Sequence, residues 1–143
     1  MRTLIVEDSR SMQELLRGIV APYGPVVEVP NGRQAVSAFV RSMEDKRLFD
    51  LILMDIEMPV LDGHQALSMI RRLEEQRLGG IRTKAIIVSS LTDYENILRA
   101  QFEERADAYL TKPFEAEMLL EILRNHGLID KGPFPEDAGE GSA

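Results

Sequence analysis

A handful of side chains in this 143-residue sequence could do chemistry together: the adjacent acids Glu7 and Asp8, then Asp55, Ser89 and Lys112. Three carboxylates within a few ångströms repel one another and cannot all stay ionised unaided. A hard dication relieves that repulsion. Mg²⁺ takes oxygen ligands, keeps several waters, and is commonly held by one or two carboxylates plus phosphate oxygens. Asp8 and Asp55 would ligate it directly, with Glu7 reaching through a water. A carboxylate is also a nucleophile toward phosphorus. The cation and the Lys112 ammonium would neutralise charge on a phosphoryl group in transfer. Ser89 would donate a hydrogen bond to one of its oxygens, worth about 1.5–3 kcal/mol for a charge-assisted bond.

That chemistry requires elements that bring the five residues to one place. Short apolar runs alternate with helical patterns five times. The runs are Leu4-Ile5-Val6, Val26-Val27-Glu28-Val29, Leu51-Ile52-Leu53-Met54, Ala85-Ile86-Ile87-Val88 and Ala108-Tyr109-Leu110. The first helix pattern carries Met12, Leu15, Leu16, Ile19 and Val20 at the i, i+3, i+4 spacing. Ser9 or Ser11 can cap it, and Ser11-x-x-Glu14 matches a capping box. The second carries Ala35, Val36, Phe39, Val40 and Met43; the third carries Leu67, Ile70 and Leu73, with Asp62 as its cap. The fourth is weaker, with Ile97, Leu98 and Phe102 among charges, and the last carries Met118, Leu119, Ile122 and Leu123.

Strands alternating with helices mean a parallel sheet covered on both faces. Continuous rather than alternating apolar runs fit strands buried on both sides. The expected fold is therefore α/β, a doubly wound five-stranded parallel sheet of flavodoxin-like order 2-1-3-4-5. The first strand runs into Glu7-Asp8, the third into Asp55, the fourth into Ser89 and the fifth into Lys112. In a parallel sheet those carboxyl ends share one edge, and the crevice between the first and third strands is the topological switch point.

Composition narrows the partners. A net charge of −7 without a basic run disfavours nucleic acid and anionic membranes. The absence of cysteine excludes disulfides and thiolate chemistry, and two histidines exclude a multi-His metal site. No apolar stretch approaches the roughly 20 residues of a membrane helix, and acids follow the N-terminal run at once. A cytoplasmic, stand-alone protein is expected. Its domain should span 1–130, followed by a disordered acidic Pro/Gly tail over 131–143. His64 and His126 are expected to face solvent, and Met58 and Phe114 to pack.

The segments around these residues resemble the receiver domain of two-component response regulators, over about residues 2–126. The matching pieces are Leu4 to Ser9, Asp50 to Gly63, Ile86 to Ser90 and Ala108 to Phe114, in order and on the right strand ends. The resemblance implies a single-domain, chemotaxis-regulator-like signalling receiver rather than an enzyme. Its own chemistry would be limited to taking a phosphoryl group from a donor and losing it again. Asp55 would accept the phosphoryl group from a phosphohistidine on a histidine kinase or histidine phosphotransfer protein. Glu7, Asp8, Asp55 and the backbone carbonyl of Glu57 would hold Mg²⁺, with Mn²⁺ as a substitute. Lys112 would pair with the phosphoryl group, or with Asp55 before phosphorylation. Ser89 and Tyr109 would act as the switch pair, remodelling the face of the fourth helix, fifth strand and fifth helix where a downstream protein docks. The Lys112–Pro113 bond would be cis, and the protein a monomer or a phosphorylation-dependent dimer.

The chain departs from the common pattern at several places. Glu7 stands where Asp is frequent, and Ser90 where Ala is usual. Residues 99–106 run one residue longer than the usual fourth helix and loop, and Arg105 replaces a usual Gly, which leaves the shape of the output face open. Glu57 and Leu91 lie where the family tunes hydrolysis of its own phosphoaspartate. Three other readings compete. A haloacid-dehalogenase phosphatase wants a second Asp two residues after the nucleophile, where Glu57 stands. A flavodoxin wants a phosphate-binding loop after the first strand, where Glu7-Asp8-Ser9 would repel an anion. A pseudo-receiver that never takes phosphate would not need the full set of acceptor-site residue types. Each residue also has a plainer reading taken alone: Glu7-Asp8 as a solvated turn, Lys112 as a surface lysine, Ser89 as a backbone partner, Tyr109 as packing.

Overall fold

A computed structural model of the chain describes residues 1–58, 60–91 and 93–130, without the side chain of Phe102. The expected tail over 131–143 lies outside the described residues. In chain order the elements are β1 (Thr3–Val6), α1 (Arg10–Val20), a 3₁₀ turn (Ala21–Tyr23), β2 (Val26–Val29), α2 (Gly32–Glu44), β3 (Leu51–Met54), α3 (Gly63–Arg77), β4 (Lys84–Ser89), α4 (Tyr94–Leu98), a π turn (Arg99–Glu103), β5 (Ala108–Thr111) and α5 (Ala116–Asn125).

The sheet is parallel throughout, in the order β2-β1-β3-β4-β5. Strands β1 and β3 are buried on both faces along their whole length, as their continuous apolar runs require. One core layer joins the sheet to α2 and α3 through Phe39, Leu67 and Ile70. The other joins it to α1 and α5 through Leu16, Ile19, Leu119 and Leu123. Met58 packs in the first layer and Phe114 against the second.

Register decides what meets at the sheet edge. Val6 pairs with Met54, so the next residues, Glu7 and Asp55, emerge side by side, and the Asp55 amide donates to the Val6 carbonyl at 3.0 Å. Ser89 pairs with Thr111, and the Lys112 amide donates to the Ser89 carbonyl at 2.8 Å.

Side-chain caps start four of the five α-helices. Ser9 accepts from the Met12 amide, so the α1 cap is Ser9 and the Ser11–Glu14 capping box does not form; Ser11 lies inside the helix. A capping box forms at α3 instead. Asp62 accepts from the Gln65 amide at 2.9 Å and Gln65 returns an acceptor to the Asp62 amide at 3.2 Å. The helix can start there because position 63 is glycine: a Cβ would run into the Asp55 carbonyl oxygen. A π turn spans Arg99–Glu103, and its closing bond runs from the Glu104 amide to the Arg99 carbonyl at 3.1 Å. Arg105 follows at φ 57°, the left-handed conformation that glycine adopts most readily.

Candidate functional site

The β1–α1 turn, the end of β3 and the end of β5 place three acids and one base together. One carboxylate oxygen from each of Glu7, Asp8 and Asp55 lies within 4.8 Å of the others. Glu7 and Asp55 are buried and Asp8 is exposed, so the cluster is open to solvent on one side. Lys112 Nζ donates to Glu7 Oε1 at 2.9 Å and to Asp55 Oδ2 at 3.3 Å. The other Asp55 oxygen accepts from the Glu57 amide at 3.3 Å, which lays the backbone of residue 57 against the carboxylate. The other Glu7 oxygen accepts from the Ser9 amide. The Lys112–Pro113 peptide is cis, as expected.

Charge does not balance in this arrangement. Burial pushes the Asp55 carboxyl up, against the opposing pull of Lys112. Burial also pushes Glu7 up; the Lys112 hydrogen bond opposes this and the Asp55 charge adds to it. Burial pulls the Lys112 ammonium down, but its hydrogen bond to Glu7 and the Asp55 charge outweigh burial and hold it above the usual lysine range. One ammonium cannot neutralise three carboxylates. An all-oxygen set with two negative charges in excess, open on one side, fits a hard dication that keeps part of its water shell.

Ser89 and Tyr109 lie beside this cluster rather than in it. Ser89 is fully buried at the end of β4, and its Oγ accepts from the Leu91 amide at 3.2 Å. The Tyr109 hydroxyl donates to the Leu91 carbonyl at 2.8 Å, and burial pushes its pKa up. Both switch candidates therefore grip the backbone of Leu91, the second residue of the β4–α4 loop. Ser90, the departure next door, donates to Glu57 Oε1 at 3.1 Å and bridges the loops after β3 and β4.

Sequence reasoning missed the polar cluster around His64 and misplaced its centre. His64 does not face solvent: it is 3% exposed, with Nδ1 at 2.5 Å from Glu104 Oε1 and Nε2 at 2.8 Å from Asn96 Oδ1. The second position of α3 turns it toward α4, and the π turn carries Glu104 inward to meet it. Partners 32 and 40 residues away leave no trace in local periodicity. His126, at the end of α5, is half-buried.

Among the described residues no helix is long and apolar enough to cross a membrane. The family model for the response regulator receiver domain matches residues 3–124. The chain is 31% identical over 124 residues to the chemotaxis protein CheY of Bacillus subtilis, covering 85% of this chain and 93% of that one. It is 33% identical over 143 residues to the sensor protein GacS of Pseudomonas syringae pv. syringae, covering 97% of this chain but 15% of that protein. It is 32% identical to the hybrid signal transduction histidine kinase I of Dictyostelium discoideum, of which it spans 7%. The receiver domain of the Arabidopsis thaliana histidine kinase CKI1, crystallised with Mg²⁺ and BeF3⁻, superposes with a TM-score of 0.70 at 28% identity, covering 85% of this chain and 88% of that one. Fold, strand-end chemistry and relatives agree: the chain belongs to the response regulator receiver domain family.

Proposed function

We propose that Asp55 is the phosphoacceptor of this receiver domain, and that Glu7, Asp8, Asp55 and the Glu57 carbonyl hold Mg²⁺ while it works. The observation that carries this reading is the clustering of three carboxylates within 4.8 Å around a lysine that bonds two of them. The relative crystallised with Mg²⁺ and BeF3⁻ supports it. When bound, Mg²⁺ supplies positive charge at the phosphoryl oxygens and relieves the repulsion among the acids. An ionised Asp55 oxygen attacks the phosphorus of a partner's phosphohistidine. The P–O bond forms as the P–N bond breaks, and the released imidazole takes a proton from solvent. Lys112 follows the charge from Asp55 to the phosphoryl oxygens. Ser89 exchanges its Leu91 contact for a phosphoryl oxygen, and Tyr109 follows through the same Leu91 backbone. The α4–β5–α5 face then presents a different surface to a downstream protein. The donor is a histidine kinase or a histidine phosphotransfer protein, and the domain spans 1–130.

Intact mass after incubation with phosphoramidate and Mg²⁺ tests this. Wild type should gain one phosphoryl group, while Asp55→Asn and a chelated control gain none. No gain in folded wild type rejects the acceptor role and leaves an interaction module.

A further inference from the structure

His64 is buried between two acceptors. Asn96 is turned by its own amide group, whose Nδ2 donates to both Asp93 carboxylate oxygens at 2.8 and 2.7 Å. Its Oδ1 therefore faces His64 Nε2, which must donate. On the other side Glu104 Oε1 faces Nδ1, while its Oε2 accepts from Arg99 Nε at 3.2 Å. When Glu104 is ionised it can only accept, so Nδ1 must donate as well. With Glu104 ionised, only the doubly protonated ring satisfies both contacts. A neutral ring sets a lone pair against an oxygen at one of them, in a buried site where an unmet polar contact is costly.

What those contacts hold is α4 and its π turn. Five residues of α-helix cannot sustain themselves. Among the described residues the anchors of this segment include the Asp93 cap, the buried Ala100, and the two bonds to His64. The charged groups facing the ring are Glu104 and Arg99 from the π turn and Asp93 through Asn96; Glu103 sits at the rim, and Asp62 at the start of α3 is occupied as its cap. The N-terminal dipole of α3 works against a cation at its second position, so the carboxylate is the group that retains it. A groove of about 470 Å³, lined in part by His64, Arg99, Glu103 and Glu104, gives the proton a route to water.

We propose that His64 is a proton-operated latch: protonated, it fastens α4 and the π turn to α3, and on losing a proton it releases them. The latch is independent of phosphorylation. Its consequence, that pH sets how readily the α4–β5–α5 face rearranges, rests on the function proposed above. The sign follows from the contacts: acid closes the latch and base opens it.

Two readouts on the ¹⁵N-labelled full chain test this without a phosphodonor: ring-nitrogen shifts of His64, and amide hydrogen exchange of residues 95–104 corrected for intrinsic rates. His126→Gln assigns the ring signals. At acid pH both His64 nitrogens should carry protons. As one is lost, protection in residues 95–104 should fall at the same midpoint by at least about tenfold, the weight of one charge-assisted hydrogen bond. Glu104→Gln can donate its amide to a neutral Nδ1, so protection there should stay flat across the same range. A ring with one proton throughout, protection that ignores the His64 titration, or Glu104→Gln falling as wild type does would each overturn the proposal.

Discussion

Asp55 and Glu7 are kept at odds with their surroundings. Both carboxyls are buried beside each other and both titrate above their ordinary values. For such groups folding favours the proton, so each contributes most in acid, and that contribution is lost as pH rises from the ordinary carboxylate value through the raised one. Lys112 titrates above its ordinary value too, and its contribution persists until the pH passes into that higher range. Between the raised carboxylate range and the raised lysine range the protein therefore bears the cost of the acids and keeps the benefit of the lysine. Removing one charge should stabilise the metal-free chain. Asp55→Asn and Glu7→Gln are each expected to gain about 1 kcal/mol, or about 4 °C in Tm. Calorimetry with EDTA should show the gain, and Mg²⁺ should raise the wild-type Tm while moving Asp55→Asn less. A wild type more stable than both variants in EDTA would mean that Lys112 already settles the charge.

The element scale is where the departures from the family pattern act. Arg71 on α3 is a fully buried cation, bonding Glu74 at 2.8 Å, the Thr83 carbonyl at 2.8 Å, the Arg105 carbonyl at 2.9 Å and Asp107 at 3.1 Å. It ties α3 to β4 and to the turn before β5. Arg71→Met leaves the fully buried Glu74 without its guanidinium and should cost about 3 kcal/mol in urea unfolding. Arg105 occupies the left-handed region while its carbonyl serves Arg71 and Arg82. Its side-chain pair with Glu75 is exposed and contributes little. Arg105→Gly should therefore gain about 1 kcal/mol by relieving backbone strain, and Arg105→Val should lose stability in the same assay. That 99–106 and Arg105 depart from the resembled pattern was an expectation legible in the sequence. The form they take, a π turn that carries Glu104 to His64, was not, because an inserted residue can be absorbed as a bulge, a loop or a turn with equal periodicity. Ser9 against Ser11 as the α1 cap is the same kind of choice. Both offer a hydroxyl, and the position of the β1 end selects the first.

For the whole molecule, the core layers bear on the proposed domain end at 130. Leu128 and Ile129, beyond α5, pack against the layer that holds α1 and α5. Ending the chain at 127 should cost about 2 kcal/mol for two partly buried aliphatic side chains, read as a lower urea midpoint. Ending it at 130 should leave the midpoint unchanged; a shift on that cut would move the domain boundary past 130.

By itself the sequence determined the strand and helix order, the class of sheet, and four polar residue types waiting at strand ends. These depend on local apolar runs, on periodicity and on the rule that parallel strands share one carboxyl edge. Asp55, Glu7, Asp8 and Lys112 were readable for that reason: each lies within two residues of a strand end on the same sheet edge, and register sets Glu7 beside Asp55. Only the tertiary structure decided which partners those residues take now. Ser89 and Tyr109 hold Leu91, Ser90 reaches Glu57, and His64 turns inward to Asn96 and Glu104. The Ser89 bond is local, but the others span 18 to 40 residues and depend on how helices seat on the sheet, to within a fraction of an ångström. No local pattern encodes that seating.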